Sequence, residues 1–418
     1  MTSLLEKLNN LHTGLSASKV ARKYKYLTEN PFRFFRGTNN LFFEDLTATA
    51  FPGSPVCWLC GDLHIENFGS YKGGNGLVYF DLNDFDESIL GPVAWDIARL
   101  VTSLLIAFDA LKITDKEAIK ACEVLVDKYA AVLAGGKPGY IETRTAEAIV
   151  RKFLDTVESR TQKELLKGRT KTKNKKVILD SSAEKHLSLD KELKLALMKA
   201  MRDWMKSNNR PPNNYKVRDV NFRLAGTGSV GVQRYLFLLE KVKEKGKFML
   251  VDMKEARPSG LATLAGSEQP EWECEAQRIT MIQKIMQNVP PAQLSILYFR
   301  DRSFVMQQLQ PTSDKINFGL IQNSLEDVHN VVEDMAFLTA SGHLRGVGRK
   351  GSCTADELIA FGKRSDWKAG LLEFCILEKN KVFNDYEKFK KEMRALKNRK
   401  KGLTDRKRRS NTVVQVVR

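Results

Sequence analysis

Two stretches restrict the possible folds more than anything else in the chain: CWLCGDLHIENFG at residues 57–69 and VYFDLNDFDES at residues 78–88. Each starts as a short strand-like run and breaks into a loop crowded with acids and asparagine. Asp62 and Asn67 are five residues apart, and Asp84 lies seventeen beyond Asn67. Acids delivered just past strand ends can converge on one point, where scattered surface acids cannot. An orienting carboxylate plus oxygen ligands for a hard divalent cation is the equipment of phosphoryl transfer.

The spacing sharpens this reading. An Asp, an Asn five residues on and a second Asp beyond a hairpin match the loops of kinase-like folds. Asp62 would orient a hydroxyl, and Asn67 and Asp84 would hold Mg²⁺, with Asp86 a further metal ligand or a turn stabiliser. His64 is a candidate for orienting the acceptor loop, or a packed histidine. The cysteines that flank this loop are a weaker signal. Cys57 and Cys60 offer two ligands where tetrahedral zinc needs four, and a redox C-x-x-C opens a helix, whereas this pair sits in a strand. Packing is the better explanation for both.

A second pattern lies far downstream. GTGSVG at 226–231 supplies Gly226, Thr227, Gly228, Ser229 and Gly231, and the strand-like VQRYLFLLE follows it. A dinucleotide fingerprint would open a helix instead. A glycine loop between antiparallel strands lets backbone approach phosphates closely. Lys254, in MLVDMKEA, is the strand lysine expected next. The helix from about Pro270 to Gln287 offers Glu273 or Glu275 as its partner, Glu275 slightly preferred. Gln307 and Gln308, in FVMQQLQP, fall where a hinge would meet adenine. Here the glycine loop and lysine follow the acidic loops by about 160 residues, whereas kinases place them before. The expectation is a circularly permuted, two-lobed kinase-like α+β fold.

The G-D-L-H-x-x-N and D-F-D forms resemble the aminoglycoside and choline phosphotransferase branch of that fold, with Cys60 where those families carry His. Across residues 30–350 the blocks NPFRFFRGT, LCGDLHIENFG, FDLNDFDES, GPVAWDIARLVTS, GTGSVGVQRY with VDMKEA, and AQRITMIQKIMQ resemble the bacterial DUF2252 family. That resemblance implies a phosphotransferase-related fold and leaves the substrate open. Asp96 and Arg99, a turn apart in AWDIARL, are expected as an internal ion pair bracing the metal loop. Arg36 is a candidate phosphate contact or a loop cap, and His343 a packing residue.

Composition adds limits. Of the net charge of +18, residues Lys388–Arg409 supply +10, with twelve Lys/Arg against Glu392 and Asp405. Such a run reads as a solvated helix end and tail, with no aromatic platform beside it to bind bases. No apolar run reaches bilayer length, the start MTSLLEKLNNLHTGL lacks a secretory pattern, and six cysteines are sparse, so a cytoplasmic location is expected.

The expected organisation has five parts. A helical segment (1–55) packs on the C-lobe, and 56–217 carries the acidic loops and C-lobe helices. The N-lobe-like sheet follows at 218–310, then a hinge and returning helices at 311–395, and an irregular basic tail at 396–418. The expected activity is ATP- and Mg²⁺-dependent transfer to a hydroxyl of an unknown acceptor. The alternatives are an idle nucleotide-binding regulator, an AMP-transferring enzyme, and a nucleic-acid or anionic-surface binder using the tail.

Overall fold

A computed structural model describes residues 3–11, 17–47, 53–181, 186–207, 214–224 and 232–415. The chain opens with α1 (Leu4–Leu11), α2 (Ala17–Leu27), α3 (Pro31–Gly37) and α4 (Asn39–Thr47). Asn30 caps α3 by accepting from the Arg33 N–H at 2.8 Å, and Pro31 takes the first turn, where no N–H is needed.

Four short strands carry the acidic loops: β1 (Val56–Leu59), β2 (Phe68–Lys72), β3 (Val78–Leu82) and β4 (Ile89–Pro92). β1 pairs with β4 and β2 with β3, all antiparallel, so the two loops emerge side by side. α5 (Ala94–Ala110) follows, and every residue from Ala94 to Phe108 is buried, which makes it the central helix of the larger core. α6 (Asp115–Gly135), β5 (Ile141–Glu142) and α7 (Ala148–Glu158) pack around it. A Thr114–Glu117 capping box starts α6 and left-handed Gly136 ends it.

The next elements are α8 (Gln162–Lys167), β6 (Thr170–Lys173), β7 (Lys176–Leu179), β8 (His186–Leu187) and α9 (Lys191–Ser207). The basic stretch at 167–176 forms the β6–β7 hairpin, with Asn174 and Lys175 both at positive φ as a two-residue turn requires. Then come β9 (Tyr215–Arg223), β10 (Arg234–Lys241), β11 (Phe248–Glu255), α10 (Glu275–Met286), β12 (Ser295–Phe299) and β13 (Arg302–Leu309). These five strands and β8 build a six-stranded antiparallel sheet in the order β12-β13-β11-β10-β9-β8.

Strand alternation divides the sheet's side chains cleanly. Tyr235, Phe237, Leu239, Val251 and Met253 pack on Leu197, Met201, Trp204 and Met205 of α9. Leu236, Leu238 and Leu250, on the opposite face, are covered by Leu165 of α8 and Leu179 of β7. Residues from about 160 to 207 therefore pack on the small sheet, although the sequence pattern assigned them to the helical C-lobe as far as 217. Short apolar helices do not declare which core they join.

The last helices, α11 (Leu325–Gly346), α12 (Ala355–Lys363) and α13 (Asp366–Gln415), return to the larger core beside α5 and α6, where α1 and α3 also pack. α13 runs on through most of residues 396–418, the segment expected as an irregular tail. The arrangement is mixed α+β, with helices and strands largely in separate blocks.

Candidate functional site

Gly61 creates the turn that presents Asp62. Its φ is +87°, and a Cβ there would lie 2.1 Å from the Glu87 carbonyl, so the two acidic loops touch through a position only glycine fills. Asp96 braces the turn from α5, accepting from the N–H groups of Cys60 at 2.8 Å and Gly61 at 3.0 Å. The His343 imidazole lies 3.3 Å from Asp96 and 2.8 Å from the Tyr129 hydroxyl, in line with its expected packing role.

The expected Asp96–Arg99 pair is not formed. Arg99 reaches Asp62 instead, at 2.8–2.9 Å through Nε and a terminal nitrogen, and donates to the Phe35 carbonyl at 2.9 Å. Its guanidinium lies 3.5 Å from the Phe35 ring centre, which the N-terminal helices supply. Helical spacing suggested the pairing, but Asp96 and Arg99 point at successive parts of the same loop. Burial pushes the Asp62 carboxyl up, against the opposing pull of Arg99 and Arg36.

Asn67 ends a single 3₁₀ turn, Ile65–Asn67, and its amide nitrogen donates to the Asp62 carbonyl at 2.6 Å. That bond fixes the amide orientation and leaves the Asn67 oxygen available as a ligand. His64 is buried with Nδ1 unpartnered, and burial, then Arg36 and Lys315, hold its imidazole well below the usual range. Arg36 and Lys315 both pair with Glu66, Lys315 at 3.6 Å. Cys57 and Cys60 are buried free thiols, and burial pushes Cys60 well above its ordinary range, as inert packing residues require.

Lys254 crosses from β11 to the second acidic loop, 170 residues away in sequence. Its ammonium lies 3.5 Å from Asp84 and also pairs with Asp86. Burial alone would raise the Asp84 carboxyl, yet Lys254 and Lys315 outweigh it and hold Asp84 low. Asp86 moves the other way, pushed up by burial and by the Asp84 charge. Asp84, Asp86 and Lys254 thus meet where the sheet faces the acidic loops, and Asp62, bonded to Asn67, lies within electrostatic reach of Asp84.

Glu275 does not join them. It pairs with Arg278 one turn along α10, at 2.6 Å, and Glu273 uses its backbone N–H on Gln277. Arg278 is the residue the sequence reading missed: 5 % exposed, it donates to the carbonyls of Ser88, Asp86 and Arg257 and so staples α10 to the second acidic loop. A lone arginine amid EAQRITMIQKIM was the available signal. Glu87 is held by Ser259 and Gly260, and burial, then the Asp62 charge, push it up to about 7.

Gln307 and Gln308 sit on β13 opposite Asp252 and Val251, and the Gln308 N–H is committed to the Ala292 carbonyl at 3.3 Å. Gln310 makes the joint between the halves, bonding both backbone groups of Lys72 at 2.6 and 2.8 Å. Gly226, Thr227, Gly228, Ser229 and Gly231 lie outside the described residues. The strands that flank them carry Arg223 and Arg234, which both pair with buried Asp252. Among the described residues no cluster of three His, Cys, Asp or Glu forms a self-sufficient cation cage, and no helix is long and apolar enough to cross a membrane.

Residues 16–392 match the model of the family described as "Uncharacterized protein conserved in bacteria (DUF2252)". No curated protein and no solved structure matches the chain. With the match spanning most of its length, the chain belongs to the DUF2252 family.

Proposed function

We propose that this protein is an ATP- and Mg²⁺-dependent phosphotransferase of kinase-like, circularly permuted architecture, acting on a hydroxyl of a small molecule or other acceptor. The observation that carries the reading is the meeting of Lys254 with Asp84 and Asp86, beside Asp62 and Asn67. Two motifs some 170 residues apart meet, which supports the roles proposed from their residue types. The strand order β9-β10-β11-β13-β12, with α10 between β11 and β12, supports a nucleotide-binding lobe. The chain order is supported by the end of α11 lying against β1, where the Cys57 thiol donates to the His343 carbonyl at 3.3 Å. A chain opened at that junction and rejoined between α9 and β9 would run in the order seen here.

The donor set fits a hard cation. Asp84 is partly exposed and held ionised, and the Asn67 amide oxygen is free, a two-ligand site that relies on phosphate oxygens to complete it. Bound Mg²⁺ would supply charge neutralisation at the phosphates. Lys254 would contact phosphate oxygens once released from Asp86. Asp62, oriented by Arg99, would accept the hydroxyl proton, and its raised affinity for protons suits that task.

A mass-resolved assay against pooled hydroxyl compounds, with Asp62→Ala as control, tests the reading. The wild type should give an ATP-dependent mass gain that Asp62→Ala loses by at least roughly a hundredfold. Nucleotide binding with no turnover on any acceptor would favour the idle regulator.

A further inference from the structure

The roof of the cleft, the sheet face above Asp84, is built for an anion. Leu236, Leu238 and Leu250 on this face are 0 % exposed, sealed under Leu165 and Leu179 of the chain's own α8 and β7. A purine needs an apolar slot to stack in, and here that part of the face is filled. Next along β11 comes Asp252, two residues before Lys254 and 1 % exposed. Arg223 holds it at 2.6 Å from β9, and Arg234 holds it at 2.6–3.0 Å from β10. Arg234 stands directly across the strand pair from Lys254. The side chains of Arg223, Arg234 and Lys254 retain 19 %, 16 % and 16 % exposure, so what this part of the roof offers a ligand is three cations.

Asp252 fixes both guanidinium planes without consuming them. Arg223 gives it a single terminal nitrogen, and both arginines keep further N–H donors. Two oriented forks beside a lysine suit a polyphosphate, since guanidinium matches phosphate oxygens bidentately.

We propose that the nucleotide enters this cleft phosphate-tail first, with its β- and γ-phosphates on Arg223 and Arg234 and its α-phosphate over Asp84 and Asn67, so that the group transferred is AMP. This rests on the reading of the site as one that binds ATP and Mg²⁺ and transfers to a hydroxyl, and it takes AMP transfer over γ-phosphoryl transfer. The acceptor hydroxyl oxygen bonds to the α-phosphorus while the bond from that phosphorus to the α,β-bridging oxygen breaks. The hydroxyl proton goes to the Asp62 carboxylate and pyrophosphate leaves, retained until then by the arginine forks.

Titration calorimetry with Mg²⁺ and inorganic tripolyphosphate, then a crystal with α,β-methylene-ATP and Mg²⁺, tests the proposal. Arg223→Gln is the informative variant, because Arg234 still satisfies Asp252 and the fold is kept. Tripolyphosphate should bind within about tenfold of ATP, Arg223→Gln should weaken both by roughly tenfold or more, and the terminal phosphate should lie against Arg223 and Arg234. An analogue with its terminal phosphate at Asp84, and binding indifferent to Arg223→Gln, would overturn the tail-first orientation and leave the phosphotransferase reading standing. Density with no nucleotide between Lys254 and Asp84 would overturn both.

Discussion

Arg99 is wholly buried, and its charge is matched by Asp62, so this carboxylate neutralises a charge in the interior. Arg99→Ala removes that match and the stacking on Phe35, and should cost about 3 kcal/mol or more in denaturant unfolding. Glu87 gives a pH dependence with a definite sign. Its folded carboxyl titrates at about 7, above the ordinary 4.5, so the native state binds the extra proton between those values. Stability from this group is therefore present below pH 4.5 and lost as pH rises through 7. Unfolding measured from pH 5 to pH 8 should show a fall that Glu87→Gln makes shallower. The residues that meet at the site were legible because Asp62, Asn67, Asp84 and Lys254 stand out by residue type and spacing. Their partners were not. Arg99 choosing Asp62 over Asp96, and Lys254 choosing Asp84 and Asp86 over Glu275, are decided by which elements pack together, which no local pattern states.

At the level of elements, α10 acts through Arg278 rather than through a glutamate reaching Lys254. Arg278 draws three carbonyls toward α10, so loss of its guanidinium leaves buried acceptors unpaired. Arg278→Met should lower stability by about 3 kcal/mol and also weaken stabilisation by Mg²⁺ and ATP, because residues 86–88 lose their anchor. Glu275→Gln should leave that nucleotide response intact, and thermal shift on the two variants separates these roles. The strands that deliver the acidic loops, those carrying VQRYLFLLE and Lys254, and the helix near 270–287 were legible from their patterns. The β6–β7 hairpin was missed for a physical reason: its exposed lysines carry no apolar alternation, and Asn174-Lys175 is a weaker turn signal than Asn-Gly.

For the whole molecule, the central fact is that the six-stranded sheet and the acidic loops, distant in sequence, face each other, joined by Gln310 on Lys72 and by Arg278. The family match ends at residue 392, and Phe389 of α13 is still fully buried. A chain ending at residue 395 should therefore keep its fold and its nucleotide response, and lose only salt-sensitive binding to polyanions if it has any. The most direct test of the account is the unfolding midpoint of the full chain with and without Mg²⁺ and ATP, compared with Lys254→Met and Asp84→Asn. Ligand at a hundredfold over its dissociation constant should stabilise the wild type by about 2.7 kcal/mol and either variant by much less. Equal stabilisation of all three proteins, or of none, would contradict a nucleotide site between Lys254 and Asp84.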